Sequence, residues 1–180
     1  MHEKQFDGSI ERLRSPERVA RLEVERVTGL CLEAGSLKTV LDVGVGSGLF
    51  AEAFYRRGLK VSGVDINPHM LPVARQFVLQ GIFQEASAEV LPFPDASFDL
   101  VFMGLVLHES DEPLKVLQEA RRVARKRVCI LEWPYLQSEF GPPLAQRLNS
   151  TDIADLTQQA GFIHLENIQL THLAFYRLTI

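Results

Sequence analysis

Between Thr39 and Phe50 the chain reads TVLDVGVGSGLF, with an aspartate at 42 followed by glycines at 44, 46 and 48. Glycine has no Cβ, so such a run turns tightly and lets a ligand come close, while a helix beginning beyond it offers unpaired N–H groups. A second carboxylate, Asp65, ends the run KVSGVD at 65 − 44 = 21 residues after Gly44. A carboxylate at the end of a parallel strand can accept from both hydroxyls of a ribose, and Ile66 beside it offers a flat apolar contact for a purine. Asp42 sits at the mouth of the first strand, where it would repel a diphosphate and favour a ligand carrying ammonium and sulfonium charges. Further along, His108 titrates near neutrality and suits a general base or a hydrogen bond to a substrate hydroxyl. Glu132 and Trp133 could wall in a cationic or aromatic substrate. The structural alternatives are a histidine that only orders its loop and a tryptophan that only covers the core.

The elements that must position these residues alternate strand and helix. Thr39–Val43 reads as a short buried strand, and Leu49–Arg57 as a helix stopped by Gly58. Lys60–Asp65 is the second strand. Asn67-Pro68 starts the next helix, whose first turn is expected to be irregular because Pro72 lacks an N–H. Gly81 closes it, and residues 82–86 form a third strand. Phe98–Phe102 is a fourth strand, opening into Met103-Gly104-Leu105. Ser110 or Asp111 caps a helix over Glu112–Arg125, followed by a strand over Arg127–Leu131. Residues 135–149, with Gly141-Pro142-Pro143, read as a short lid loop. A helix capped by Ser150 runs to Ala160, and Phe162–Leu170 and Leu173–Ile180 alternate as two final strands. Ahead of the first strand, residues 1–14 read as polar, flexible chain. Ser15 and Pro16 then start a helix over residues 15–35 that packs on the sheet edge or covers the ligand.

Residues 15–180 are expected to form a single domain, large enough to bury a core without disulfides or metal. Net charge is −4, with 46 % hydrophobic and 23 % charged residues, so there is no general basic field for nucleic acid. The local basic cluster at 121, 122 and 125–127 is read as a favourable complement to a helix C-terminus. Two cysteines, Cys31 and Cys129, lie far apart, which fits a reducing cytosol and suggests neither a disulfide framework nor a metal site. No apolar run is long enough for a membrane span, and the N-terminal sequence lacks the apolar core of a signal peptide.

The order apolar–Asp–x–Gly–x–Gly–x–Gly resembles motif I of the class I S-adenosylmethionine-dependent methyltransferases. The rival dinucleotide fingerprint needs glycine at position 49, which is Leu49 here. The run after the third strand is similar to that of the ubiquinone/menaquinone-biosynthesis type. It matches at Leu91, Pro92, Phe93, Asp95, Ser97, Phe98, Asp99 and Val101. The Ala160-Gly161-Phe162 ending of the late helix matches as well. This resemblance implies an α/β fold: a doubly wound, Rossmann-like sheet of seven strands in the order 3-2-1-4-5-7-6, with the last strand antiparallel. It implies S-adenosylmethionine as cofactor, held by Asp42, Gly44, Gly46, Gly48, Asp65, Ile66, Ser87, Ala88, Met103 and Gly104. At position 87 the family usually has aspartate receiving the adenine amino group, and Ser87 would accept that bond more weakly. The tetrad [D/N/S]-P-P-[Y/F/W] of nucleic-acid and amide methyltransferases is absent. The implied activity is therefore methyl transfer to a small molecule in the cytoplasm, with His108 as catalytic candidate, Glu132 and Trp133 beside the substrate, no metal, no nucleic acid and no membrane. The rivals are a nicotinamide-dependent oxidoreductase and a non-catalytic module that binds the cofactor. Arsenite as acceptor is disfavoured by the two isolated cysteines.

Overall fold

The central strands bury both faces. In β1 (Thr39–Val43) and β4 (Phe98–Gly104) every residue but the first and the last, respectively, is buried, as expected for central parallel strands covered on two sides. The computed structural model describes residues 10–33 and 35–180. Beside β1 and β4 lie β2 (Lys60–Asp65), β3 (Ile82–Glu85), β5 (Ala124–Glu132), β6 (His164–Gln169) and β7 (Ala174–Thr179). The sheet order is β3-β2-β1-β4-β5-β7-β6. The first five strands are parallel, and β7 runs antiparallel to both β5 and β6. This is the fold class and order expected from the sequence.

The twofold period of β4 splits the core in two. Leu100 and Phe102 face the layer built by α3 (Val24–Leu32), α4 (Leu49–Arg56) and α5 (Leu71–Phe77), where the Phe102 ring packs 4.6 Å from Phe50 and 5.4 Å from Phe54. Val101 and Met103 face the opposite layer, with Leu117 and Val123 of α6 (Pro113–Val123) and Ile153 of α7 (Ser150–Gln159). The reversal of strand order between β1 and β4 opens a crevice at their carboxyl ends.

Several local expectations shift. The single N-terminal helix is two: α2 (Pro16–Arg21), capped by the Ser15 side chain, and then α3. Between them Glu23 adopts a left-handed φ of 46°, and its carboxylate accepts from Arg26 and from the Thr171 N–H, each at 2.8 Å. The five-residue interval from Leu22 to Val27 is out of phase with 3.6 residues per turn, and the break lets both side chains bury. Residues 10–14, expected as loose chain, include the short helix α1 (Ile10–Leu13) with Leu13 buried. Arg14 is tied down by Ser47 O at 2.8 Å and by Glu52. Residues 1–9 of that expected flexible terminus lie outside the described residues. The helix after Asn67-Pro68 begins only at Leu71, with Pro72 in its first turn. Asn149, not Ser150, caps α7, in a reciprocal box with Asp152. The basic cluster is spent on specific partners rather than on a helix end: Arg122 on Glu119 and Asp95, Arg125 on Asp99, and Arg127 on the Cys31 and Glu33 carbonyls.

Candidate active site

The glycine turn shows why side chains are missing from it. Gly44 has φ +70°, and a Cβ there would lie 2.3 Å from a Val106 methyl. Gly46 also lies in the left-handed region, but a Cβ on it would meet no protein atom nearer than 4.0 Å. The first glycine is demanded by packing and the second leaves open space, as a ligand's close approach requires. Gly48 differs again: a Cβ on it would strike Ala74 Cα at 2.8 Å, so it seats α4 on α5 and does not line the crevice.

The crevice is a cavity of about 760 Å³, a size that holds a nucleoside cofactor with room beside it. Asp42, Gly44, Gly46, Asp65, Ile66, Ser87, Ala88, Gly104, His108 and Trp133 all line it. The cofactor and substrate candidates therefore share one space, apart from Gly48, Met103 and Glu132. Met103 points the other way: the pleat that turns Gly104 to the cavity places Met103 fully buried in the second core. At the same strand end Leu105 holds a left-handed φ of 64°, a strained conformation for a residue with a side chain.

Two carboxylates meet at the ends of β1 and β2. Asp42 is 3 % exposed, and no lysine or arginine among the described residues forms an ion pair with it. Burial, then the charge of Asp65, push it up to about 8 against one hydrogen bond from the Ala51 N–H. Asp65 accepts from the Gly46 N–H at 2.7 Å and from the Asn67 N–H at 2.9 Å. Each carboxylate oxygen thus keeps a lone pair for a further donor, and burial raises the group above its ordinary range. Ser87 is not a free acceptor, because its hydroxyl donates to Glu89 while accepting the Glu89 N–H at 3.2 Å. Glu89 also takes the Ser110 hydroxyl at 2.6 Å and itself lines the cavity. A carboxylate is therefore present here, two residues later than the motif places it.

On the β4–β5 side His108 sits in a 3-10 turn (Leu107–Glu109). Its Nδ1 lies 2.8 Å from Glu132 Oε2, and its backbone N–H donates to Glu132 Oε1 at 3.2 Å. Glu132 is 2 % exposed and does not reach the cavity. It is a holder of His108, not a wall for substrate, because the last residue of β5 turns its side chain under the 3-10 turn. Nδ1–H donating to Glu132 leaves Nε2 as the basic nitrogen, 3.9 Å from Glu109. Burial disfavours the His108 cation, but the Glu132 charge and hydrogen bond, helped by Glu109, outweigh burial and the opposing Arg147 charge and raise it above 6.5. Glu109 lines the cavity and is pushed up to about 7 by burial, against the pull of the His108 charge, with Glu132 and Asp65 adding to the rise.

Trp133 lines the cavity's edge and lies beneath the loop, where a Cβ on Gly141 would come within 2.6 Å of its ring. Arg147 pins that loop, donating to the carbonyls of Pro134, Leu136, Phe140 and Pro142 at 2.6–3.2 Å. Of the two roles expected for the helix over residues 15–35, α2 borders the cavity with Arg18 and Arg21, while Arg12 and Leu13 of α1 line it from a segment expected as loose chain. The available signal was the i, i+3 spacing of Arg18 and Arg21 on one helix face. Among the described residues no group of three or more His, Cys, Asp or Glu side chains is arranged to hold a metal ion.

A bend open at Gly46, a buried aspartate with no ion-pair partner among the described residues and a carboxylate pair at the strand ends fit a cationic nucleoside cofactor. Residues 41–130 match the family described as a methyltransferase domain. Over 107 residues the chain is 39 % identical to a demethylmenaquinone methyltransferase of Tropheryma whipplei, covering 57 % of this chain and 45 % of that one. It is 36 % identical over 92 residues to a malonyl-[acyl-carrier protein] O-methyltransferase of Serratia marcescens, covering 51 % and 36 %. Matches of this kind span under half the length of those curated relatives. A crystal structure of a SAM-dependent methyltransferase from Aquifex aeolicus superimposes with a TM-score of 0.84 at 26 % identity, covering 98 % of this chain and 100 % of that one.

Proposed function

The chain belongs to the methyltransferase-domain family, and on that premise we propose that it is an S-adenosylmethionine-dependent methyltransferase acting on a small-molecule acceptor. The observation that carries the reading is Asp42, a carboxyl group buried at the floor of an open cavity with no cation among the described residues to pair with. Burying such a group is costly, and the fold keeps it where a positively charged ligand would compensate. Asp65 is positioned for ribose hydroxyls, Ile66 and Ala88 for the adenine, and Glu89 for the adenine amino group in place of Ser87. When bound, the cofactor supplies an electrophilic methyl group on a sulfonium.

The chain's own part is to align, to exclude water and to take a proton. Glu132 fixes the Nδ1–H tautomer of His108, and Nε2 is then the atom that accepts a proton from an acceptor hydroxyl or amine. Because the Glu132 carboxylate raises the His108 pKa, the neutral base forms only above the ordinary 6.5, and the rate should rise with pH on that alkaline side. His108→Gln should lower kcat by about 10²–10⁴-fold with adenosylhomocysteine affinity unchanged. Glu132→Gln should move the rising limb to lower pH, a shift that simple loosening of the loop would not produce.

The acceptor is a metabolite rather than nucleic acid, a reading supported by the net charge of −4 and by the internal pairing of Arg122, Arg125 and Arg127. No helix among the described residues is long and apolar enough to cross a membrane, and the free thiols of Cys31 and Cys129 support a cytoplasmic setting. Incubation with methyl-labelled S-adenosylmethionine and fractionated metabolite pools tests the reading. Label should move to an acceptor, whereas cofactor binding without any transfer would leave a non-catalytic module.

A further inference from the structure

The 3-10 turn after β4 brings a base and an acid to one wall of the cavity. His108 and Glu109 both line it, and Nε2 of His108 lies 3.9 Å from Glu109 Oε1. That gap is too wide for a hydrogen bond. It is also the span across which one donor atom can serve two acceptors. An atom about 2.8 Å from each subtends an angle of roughly 90°, close to that between two N–H bonds of one amine. A hydroxyl has a single hydrogen and can serve only one side of the gap. Glu132 takes the Nδ1 side of the ring and fixes its orientation, so Nε2 and the Glu109 carboxylate are the two acceptors that remain on this wall. Among the described residues no donor hydrogen-bonds the Glu109 carboxylate.

The charge of the wall favours the same chemistry. Burial pushes Glu109 up to about 7, against the pull of His108, with Glu132 and Asp65 adding to the rise, and Arg18 of α2 pulls on it more weakly than these. A cation in the gap would compensate Glu109 and the Glu132 carboxylate behind the ring. An oxygen acceptor has the opposite need, because as it gives up its proton it gains negative charge beside a carboxylate. Trp133, whose backbone N–H donates to the same Glu132 at 3.1 Å, adds an aromatic ring to this side of the cavity, and such a ring suits an ammonium.

We infer that the acceptor is a primary or secondary amine, whose nitrogen donates to both His108 Nε2 and Glu109 Oε1 before it is methylated. This rests on the methyltransferase reading and deepens it by naming the acceptor atom. The protonated amine gives one proton to Nε2. Its freed lone pair forms the new carbon–nitrogen bond while the carbon–sulfur bond breaks and that electron pair leaves with sulfur. The nitrogen again carries a positive charge, which the Glu109 carboxylate stabilises as it develops.

The protein saturated with adenosylhomocysteine is titrated with aliphatic and arylalkyl amines, each paired with the alcohol of the same skeleton. At least one amine should bind about tenfold or more tightly than its alcohol, equivalent to about 1.4 kcal/mol. Glu109→Gln should bring that ratio toward unity, with Glu109→Asp between the two and adenosylhomocysteine affinity held within about threefold. The amine bound best, given methyl-labelled S-adenosylmethionine, should take the label on nitrogen. The inference is overturned if every amine binds the loaded protein no better than its alcohol, if the preference survives in Glu109→Gln, or if label goes to an alcohol oxygen. Failure of adenosylhomocysteine to bind the wild-type protein, or amine binding without any transfer, would instead overturn the methyltransferase reading.

Discussion

Asp42 and Asp99 are both buried aspartates on adjacent strands of one sheet, 3 % and 4 % exposed, yet their surroundings are opposite. Asp99, at the amino end of β4, accepts from the Lys38 and Thr39 N–H groups and pairs with Arg125 at 2.9 Å and Lys126 at 3.6 Å. Burial alone would raise it, but these donors outweigh burial and hold it below the ordinary carboxylate range. Asp42, near the carboxyl end of β1, has one backbone donor and a second carboxylate nearby, and is pushed up to about 8. The fold neutralises charge at the end of the sheet that only has to be stable. At the other end Asp42 is buried with no ion-pair partner among the described residues. Uncompensated burial, rather than burial or charge alone, distinguishes the end of the sheet at which the cofactor is proposed to bind.

The comparison can be broken most strongly at Asp99. Asp99→Ala removes the partner of Arg125 and Lys126 and the acceptor of two backbone N–H groups, and should lower unfolding stability by about 3 kcal/mol in denaturant titration. Adenosylhomocysteine affinity should be little changed. Asp65→Ala should do the reverse, weakening adenosylhomocysteine binding about 100-fold, as expected for two hydrogen bonds to a charged group, with a smaller loss of stability. Unchanged affinity would place the ribose elsewhere.

A subtler contrast lies in the pH dependence of the unliganded protein. The folded pKa of Asp42 is raised from 3.8, so its contribution to stability is full below 3.8 and is lost as pH rises toward about 8. Asp99 has a lowered folded pKa, so its contribution is present above 3.8 and is lost as pH falls through its folded value. Asp42→Asn should therefore stabilise the unliganded protein at pH 8–9, by about 1–2 kcal/mol, gain nothing near pH 4 and bind adenosylhomocysteine poorly. Melting curves across this range would show the two slopes separately.

Much of this was legible in the residues themselves. The buried runs and the spacing of Asp42, Gly44, Gly46 and Asp65 define the strands, the order of the crevice and its ligand class. Met103 was misplaced although its period was readable: it shares a face with Val101, and that face is core. The roles of Glu132 and Glu89 were not readable, because a carboxylate's partner depends on how two loops meet in space and not on its own segment. The same holds for the α2–α3 break. An interval of five between Leu22 and Val27 signals that a helix cannot continue in phase, but not that the preceding arginines turn toward the cavity.

The account rests on Asp42 being a seat for positive charge that no cation among the described residues fills. Titrating the wild-type protein with adenosylhomocysteine at pH 7, in phosphate and in Tris, measures this directly through the proton balance. Binding of the ligand's ammonium should draw Asp42 into its ionised form. The heats should then differ between buffers by the release of up to about one proton per site, and Asp42→Asn should abolish the difference. Equal heats in both buffers, or no binding at all, would contradict the account.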